Sequence, residues 1–358
     1  MNAPFRPSAL RVGTADLRNP AELQRIEAFL ASRPQATVFH GPAWLLASAA
    51  GTGNRAHALV AERGEELAAY LSLTEIHSPL FGRMLASSGF AVGGGLLADD
   101  PTQAAAMFAA LEELAGRLSC PAIELRGGQL PLRRPGWTIK QNSHCGFVQP
   151  LAADDDAQLT QIPRKQRAEV RKALAGNLTV TVGAGPADRA AHYAVYSESV
   201  RNLGTPVFPA SLFNAVLDEF GEAADILTVW QHGEPFASVL SLYHCGAVMP
   251  YWGGGTHAAR RLRANDRMYF ELMLHARRRG CNRFDFGRSK SGSGAFDFKR
   301  NWGFEPEQLS YAQWTAPGSA PRDADPTSAR HSARIALWKR LPLPLTNLVG
   351  PMIARGLG

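Results

Sequence analysis

The chain has 358 residues, with 38 Lys and Arg against 31 Asp and Glu, and is 45% hydrophobic and 19% charged. That length suits about two domains at ~100–200 residues each, and the apolar content excludes a disordered chain. The net charge of +7 favours anionic partners such as phosphorylated small molecules, RNA or an anionic membrane surface. Four cysteines, Cys120, Cys145, Cys245 and Cys281, stand far apart with no CxxC pair, which argues against a disulfide scaffold and a zinc site and for a reducing compartment. The first thirty residues lack the apolar run of a signal peptide, and no stretch approaches the ~20 apolar residues of a spanning helix. The expected location is cytoplasmic.

In chain order, Leu23, Ile26 and Leu30 mark a helix. His57–Ala61 and Leu67–Ile76 read as a hairpin around Gly64. Gly93-Gly94-Gly95 follows a short strand, a helix covers Thr102–Leu118, and Ala122–Arg126 is a strand. Leu151–Ala157 (LAADDDA) reads as an acidic linker. A basic helix covers Ile162–Leu174, Leu178–Val182 alternates as a strand, and helices follow at Ala187–Leu203 and Ser211–Phe220. Residues 226–255 read as three antiparallel strands turning at His232-Gly233-Glu234 and Cys245-Gly246. A helix then runs from about Asp266 to Arg279, capped by Asn265 or Asp266, buried along Tyr269, Leu272, Met273 and Ala276, and stopped by Gly280. Phe284-Asp285-Phe286 is the next strand. The Pro/Ser/Ala-rich residues 316–333 read as a flexible connector, and the apolar tail beyond is broken by Pro342, Pro344 and Pro351. The expected division is 1–150, 158–315 and 316–358.

The second half has the order β, α, α, β, β, β, α, β, which is that of a GNAT (acyltransferase) domain, and the first half repeats it. The glycine triplets 93–95 and 253–255 are offset by 160 residues, Glu124 and Asp285 by 161, and the hairpin glycines Gly64 and Gly233 by 169, so the interval from hairpin to triplet differs between the halves. These offsets predict a duplicated α/β (α+β) fold of tandem GNAT-like subdomains, each a mixed, mostly antiparallel sheet flanked by helices, with the two triplets superposed.

Two segments could carry chemistry. In IPRKQRAEVRKAL, Arg164, Lys165, Arg167, Arg171 and Lys172 fall on one helical arc with Glu169 as the sole carboxylate. A solvated face and a phosphate-binding stripe are both open readings; the scarce acidic compensation favours the second, with Arg164, Arg167 and Arg171 facing a groove. FDFGRSKSGSGAFDFKRNWGFEP opens as a strand, passes a Gly/Ser loop with Arg288 and Lys290, and ends in an aromatic wall that could be a hairpin closing the sheet. A lysine at 299 in such a wall is expected to point its ammonium into a cavity, the competing outcome being a surface salt bridge to Asp297 or Glu305. Neither triplet fits GxxxxGK[ST], GGGTHAARRLR lacks a clean Q/RxxGxG/A pyrophosphate loop, and no paired-histidine metal spacing, HExxH or GxSxG is present.

IPRKQRAEVRKALAGNLTV, YWGGGTHAARRLRANDRMYFELMLHARRRGCNRFDFG and FDFKRNWGFEP resemble the FemAB family of peptidyltransferases over roughly residues 160–312. The stretch GRSKSGSGAFDFKRNWGFEP and the tail WKRLPLPLTNLVGP are most similar to its branch associated with PEP-CTERM/exosortase exopolysaccharide loci. The resemblance implies twin GNAT-like subdomains and transfer of an aminoacyl group from aminoacyl-tRNA to an amine of a peptidoglycan precursor. It places Lys299 at the position of the family's FKxxxGF-type lysine, held to assist at the transition state. Asp285, at a strand end, is the candidate acceptor of the amine proton. The helical arm that some classical members insert for tRNA is missing here. The implied enzyme is an acyltransferase with no permanently bound cofactor and no metal, whose co-substrate is aminoacyl-tRNA or acyl-CoA. Its partners would be an anionic nucleotide- or lipid-linked cell-envelope or exopolysaccharide precursor and tRNA; the apolar C-terminal tail itself leaves open packing on the first domain, a partner, or contact with the inner face of the membrane. Substrate or phosphate contacts fall to Arg164, Arg167, Arg171, Arg288 and Lys290. The alternatives are an acyl-CoA-dependent GNAT enzyme acting on a sugar, and a non-catalytic protein binding an anionic glycan or glycolipid.

Overall fold

The computed structural model describes residues 9–322 and 332–358. The chain divides into two compact units. The first holds the described residues of Met1–Gln141, Ser310–Ala324 and Arg355–Gly358, the second those of Asn142–Leu309 and Asp325–Ala354.

The first unit opens with β1 (Leu10–Thr14), α1 (Pro20–Ala31) and α2 (Pro42–Thr52). It continues through β2 (Arg55–Arg63), β3 (Glu66–Ser78), β4 (Gly82–Ser87) and β5 (Leu97–Ala98) to α3 (Pro101–Arg117) and β6 (Ala122–Arg126). β1 to β4 pair antiparallel in sequence order, and β4 pairs parallel with β6. Asp100 starts α3 by accepting from the Gln103 amide at 2.8 Å, with Pro101 at the first helical position. The helix then buries Met107, Phe108, Leu111 and Leu114 against Leu59, Leu71, Leu73, Leu85, Ile123 and Leu125 of the sheet. This apolar burial is the main driving force for closing the unit.

In the second unit β7 (Trp137–Gly146, entered from the first) leads to β8 (Val148–Pro150), α4 (Asp155–Gln161), α5 (Arg164–Leu174) and β9 (Thr179–Gly183). Then come α6 (Pro186–Leu203), α7 (Ala210–Phe220), β10 (Ala224–Gln231), β11 (Glu234–His244) and β12 (Ala247–Gly255). The short α8 (Ala259–Leu262), α9 (Ala264–Arg278), β13 (Arg283–Asp285), β14 (Ser289–Lys290) and α10 (Gly294–Asn301) follow. The sheet order is β8-β13-β12-β11-β10-β9, parallel only between β12 and β13. Its hairpins turn at His232-Gly233 and Cys245-Gly246, all four residues at positive φ as a two-residue type I′ turn requires.

β15 (Glu307–Thr315) closes the repeat. Its Tyr311–Thr315 pair antiparallel with β6 in the first unit, while β8 pairs antiparallel with β13 in the second. Each sheet thus takes in a strand that follows the other half in sequence. Beyond 331 lie α11 (Ser332–Trp338) and α12 (Leu343–Ala354).

Strand register exposes the duplication. Glu62↔Leu67 then Ala61↔Ala69, and Trp230↔Pro235 then Val229↔Ala237, put the same bulge at the same place beside each first hairpin. The register carries through to Ala86↔Glu124 in one unit, and Asp285 follows the Val248↔Phe284 pair in the other, so Glu124 and Asp285 correspond. The glycine triplets do not. Ala69 pairs with Ala98 and Ala237 with Gly255, so Gly253–Gly255 correspond to Leu96–Ala98 and not to Gly93–Gly95. The cause is that β12 runs on unbroken, whereas the first unit leaves the sheet after Ser87 and rejoins it only at Leu97. The helices that follow, α3 and α9, do hold the same topological place.

Other expectations change as well. The divide falls after Gln141 rather than near 150, and Ser310–Thr315 and Arg355–Gly358 return to the first unit instead of belonging to 158–315 and 316–358. The acidic "linker" starts a helix, because Asp154 caps α4 by accepting from the Ala157 amide at 2.7 Å and Asp155 and Asp156 suit its first turn. α9 begins earlier than expected, with Arg263 (φ 57°) rather than Asn265 or Asp266 at its cap position. The expected connector falls largely on residues 323–331, outside the described residues.

Candidate functional site

β12 and β13 run together only over Ala247↔Arg283 and Val248↔Phe284. Tyr251 is then an extra residue in β12, since Ser241 pairs with Pro250 and Leu240 with Trp252. A bulge bends its strand and increases the local twist. Past it, Trp252–Gly255 stay on β11, while the chain after Phe284 follows β8 and β7 through Asp285↔Val148, the Phe286 amide on the Phe147 carbonyl and Ser289↔Cys145. The two parallel strands therefore part at their carboxyl ends, the place where open α/β sheets form ligand crevices.

The glycine run lets helices close on this crevice. A Cβ on Gly253 would stand 2.8 Å from Val239 Cγ2 and 3.5 Å from the Tyr269 hydroxyl. One on Gly254 would collide with Ser199 of α6, and one on Gly255 with Asn265 of α9. Tyr269 packs its ring against Phe286, Phe298 and Trp302, and burial lifts its hydroxyl to about 12, so it is a protonated donor at neutral pH. Asn265 Oδ1 and Thr256 Oγ1, at the end of the glycine run, are buried with no hydrogen-bond partner among the described residues.

Behind the loop that follows β13 stands Lys299, on α10. α10 is a helix and not the hairpin considered above, started by Ser293 accepting from the Phe296 amide at 3.3 Å. It turns Lys299 inward to 8% exposure. The Nζ donates to the carbonyls of Gly287 (3.2 Å) and Arg288 (3.0 Å) and lies 5.3 and 5.6 Å from the ring centres of Phe147 and Phe286. The ammonium thus holds two backbone carbonyls, and no ion pair joins it to Asp297 or Glu305 among the described residues. It fixes the two peptides that follow β13. Burial pulls its pKa down to about 8, opposed by the carboxylate of Asp285. Asp285 accepts from the Gly287 amide at 2.8 Å, and burial raises its pKa. Trp302 and Phe304 are fully buried behind this loop, and Phe298 is half-buried. Lys299, Asp285 and the Arg288 backbone therefore meet; Lys290 lies on β14 and is exposed.

The basic helix divides. Arg164, Lys165, Arg171 and Lys172 are exposed. Arg167 is spent on structure, its Nε on the Ile162 carbonyl at 3.0 Å and its Nη2 on the Thr160 carbonyl at 2.6 Å, which satisfies the carboxyl end of α4. Glu169 pairs with Lys172 and with Arg263, at the junction of α8 and α9, so α5 is tied to the helix that lines the crevice. Arg260 and Arg261 of α8 are exposed. Six exposed cations, Arg164, Lys165, Arg171 and Lys172 on α5 and Arg260 and Arg261 on α8, make these two helices basic at the surface.

Sequence reasoning missed Tyr269 and Asn265, because a helix stripe reads as core and a first-turn Asn as a cap. What could have found them is that three successive glycines opposite a helix require something close to press on them.

Residues 162–300 match the model of the acetyltransferase (GNAT) domain family. Its boundaries enclose the crevice, Asp285 and Lys299. The chain has a tandem GNAT-like fold. Among solved structures it is similar to FemX (TM-score 0.62, 16% identity, covering 80% of this chain and 95% of that one). It is also similar to a tandem GNAT protein from the clavulanic acid biosynthesis pathway (TM-score 0.57, 13% identity, 87% and 100% covered). A third likeness is to L-PGS from Bacillus licheniformis (TM-score 0.51, 15% identity, 93% and 97% covered). No curated protein matches the chain by sequence.

Proposed function

We propose that the second unit is an N-acyltransferase that moves an aminoacyl or acyl group onto an amine of an anionic cell-envelope or exopolysaccharide precursor. The observation that carries this reading is the parting of β12 and β13, with the buried, unpartnered side-chain oxygens of Asn265 and Thr256 at the end of the glycine run and Lys299 fixing the two peptides that follow β13. Aminolysis of an ester or thioester needs an acceptor amine held by oxygen atoms, a donor hydrogen bond for the carbonyl that becomes an oxyanion, and alignment. In this reading Asn265 and Thr256 hold the amine. Tyr269 Oη and the loop amides positioned by Lys299 face the developing oxyanion; one such donor can be worth ~3–4 kcal/mol. Asp285, whose pKa burial raises, takes the amine proton as the tetrahedral intermediate collapses. The donor's C–O or C–S bond breaks as the new amide forms, and the leaving oxygen or sulfur takes the proton that Asp285 had accepted. Arg164, Arg171 and the cations of α8 steer the phosphates of the donor or precursor.

The acyl-CoA alternative has its own support in the matched GNAT domain and in the unpaired edge of the glycine run, where a backbone could cradle a pyrophosphate. Native mass spectrometry of the freshly purified protein separates the two. Retained aminoacyl-RNA or a nucleotide-linked precursor is the expected result; retained coenzyme A transfers the assignment to the alternative.

A further inference from the structure

α12 is built inside out for a helix of a water-soluble surface. The residues it turns inward are small: Thr346, Gly350 and Ala354, spaced four apart on one face, are buried. Gly350 permits that approach, since a Cβ there would stand 3.1 Å from Val207. Asn347 donates to Ser197 Oγ at 3.3 Å, fixing the helix on α6. The large side chains face out. Leu345 is 43%, Leu348 71% and Met352 64% exposed, and at 100° per residue they fall within one arc of ~60°, with half-buried Val349 at its border. The helix contains no charged residue, whereas Lys339 and Arg340, just before it, are both exposed.

We infer that α12 lies in the surface of an anionic lipid bilayer, with Leu345, Leu348 and Met352 entering the acyl boundary and Lys339 and Arg340 meeting headgroup phosphates. Twelve residues span ~18 Å, well short of the ~30 Å hydrocarbon core, so the helix lies in the interface plane and does not cross it. Among the described residues no helix is long and apolar enough to cross. The charge complementarity selects the occupant: exposed cations at both ends of an apolar strip, Lys339 and Arg340 before it and Arg355 after it, on a chain of net charge +7, fit a negative leaflet. A second copy of the chain fits poorly, because three side chains on one short helix fall far below the ~800 Å² per partner of a stable interface. The inference does not rest on the proposed transfer activity.

The experiment is co-sedimentation of the full chain with vesicles of phosphatidylcholine alone and of phosphatidylcholine with phosphatidylglycerol. Wild type should bind the anionic vesicles at least ten-fold more tightly than the neutral ones and lose that preference in high salt. Leu348→Ser with Met352→Ser should lose ten-fold or more, and Lys339→Glu with Arg340→Glu should lose the preference for anionic lipid. These side chains are exposed, so melting temperatures should not move, and a sedimentation-velocity run on each variant reads the oligomeric state. Equal binding by wild type and the Ser variant would overturn the inference. So would a wild-type dimer that the Ser variant dissolves, because the strip would then belong to a second copy.

Discussion

Lys299 illustrates how a single buried charge organises a loop. Its two hydrogen bonds hold the Gly287 and Arg288 carbonyls, and removing it leaves both acceptors buried in a wall of aromatic rings. Lys299→Ala should therefore lower turnover ~100-fold with the fold intact, and Lys299→Arg should restore only part, because a planar guanidinium does not fit two carbonyls met by a compact ammonium. Unchanged turnover in a folded Lys299→Ala protein would remove it from the mechanism. Titration gives an independent handle. Its folded pKa is about 8 against 10.5 for the free side chain, so between those values the unfolded chain holds the extra proton and wild-type stability rises with pH. Urea unfolding at pH 8 and 9.5 should show wild type gaining on Lys299→Met by about 1 kcal/mol or more per pH unit, and parallel curves would contradict the burial of the charge. His192 of α6 behaves oppositely in range. It is buried against Ser238, burial pulls its pKa to about 3, and the unfolded chain therefore takes up a proton first as pH falls below 6.5. Wild type should lose about 2 kcal/mol of stability between pH 6.5 and 5 that His192→Gln does not lose, measured by chemical denaturation at both pH values.

At the scale of elements, periodicity made strands and helices legible wherever burial is one-sided. The hairpins, α3, α6, α7 and α9 fall within a few residues of where apolar spacing and glycine turns put them. Strand exchange was not legible, because β8 and β15 are short and their partners are set by tertiary pairing rather than by their own pattern. The acidic start of α4 reads as a linker by composition and as a cap only by position. The glycine offset of 160 misled for a related reason: spacing counts residues, whereas correspondence is set by register, and the first unit's strand is interrupted between Ser87 and Leu97. α5 shows the limit most plainly. Helical spacing puts five cations on one arc, but only contacts tell that Arg167 closes α4. Arg167→Ala should lower the melting temperature by leaving two carbonyls without donors, a cost of about 1–3 kcal/mol. Arg164→Glu with Arg171→Glu should leave melting unchanged and raise KM for an anionic substrate, more steeply at low salt. A salt-independent KM would make these residues an ordinary solvated face.

Across the whole molecule, the two units repeat one topology, and the corresponding carboxylates Glu124 and Asp285 have different surroundings. Glu124 in the first unit accepts from Arg126 Nε at 2.8 Å and Gln313 Nε2 at 3.0 Å, while Arg126 also donates to the Ala91 and Gly358 carbonyls. That carboxylate is consumed by its own surroundings. Asp285, its counterpart, has the Gly287 amide and the field of Lys299 beside a parted pair of strands. Duplication has thus left a fully engaged structural carboxylate in one unit and a less engaged one in the other, and the proposed transfer belongs to the second alone. Hydrogen–deuterium exchange of the full chain, with and without coenzyme A or an aminoacylated acceptor-stem RNA, tests this most directly. One of these donors should slow exchange at Gly253–Gly255 and at 285–288 and leave 87–98 unchanged. Protection confined to 87–98, or none at either place with both donors, would contradict it.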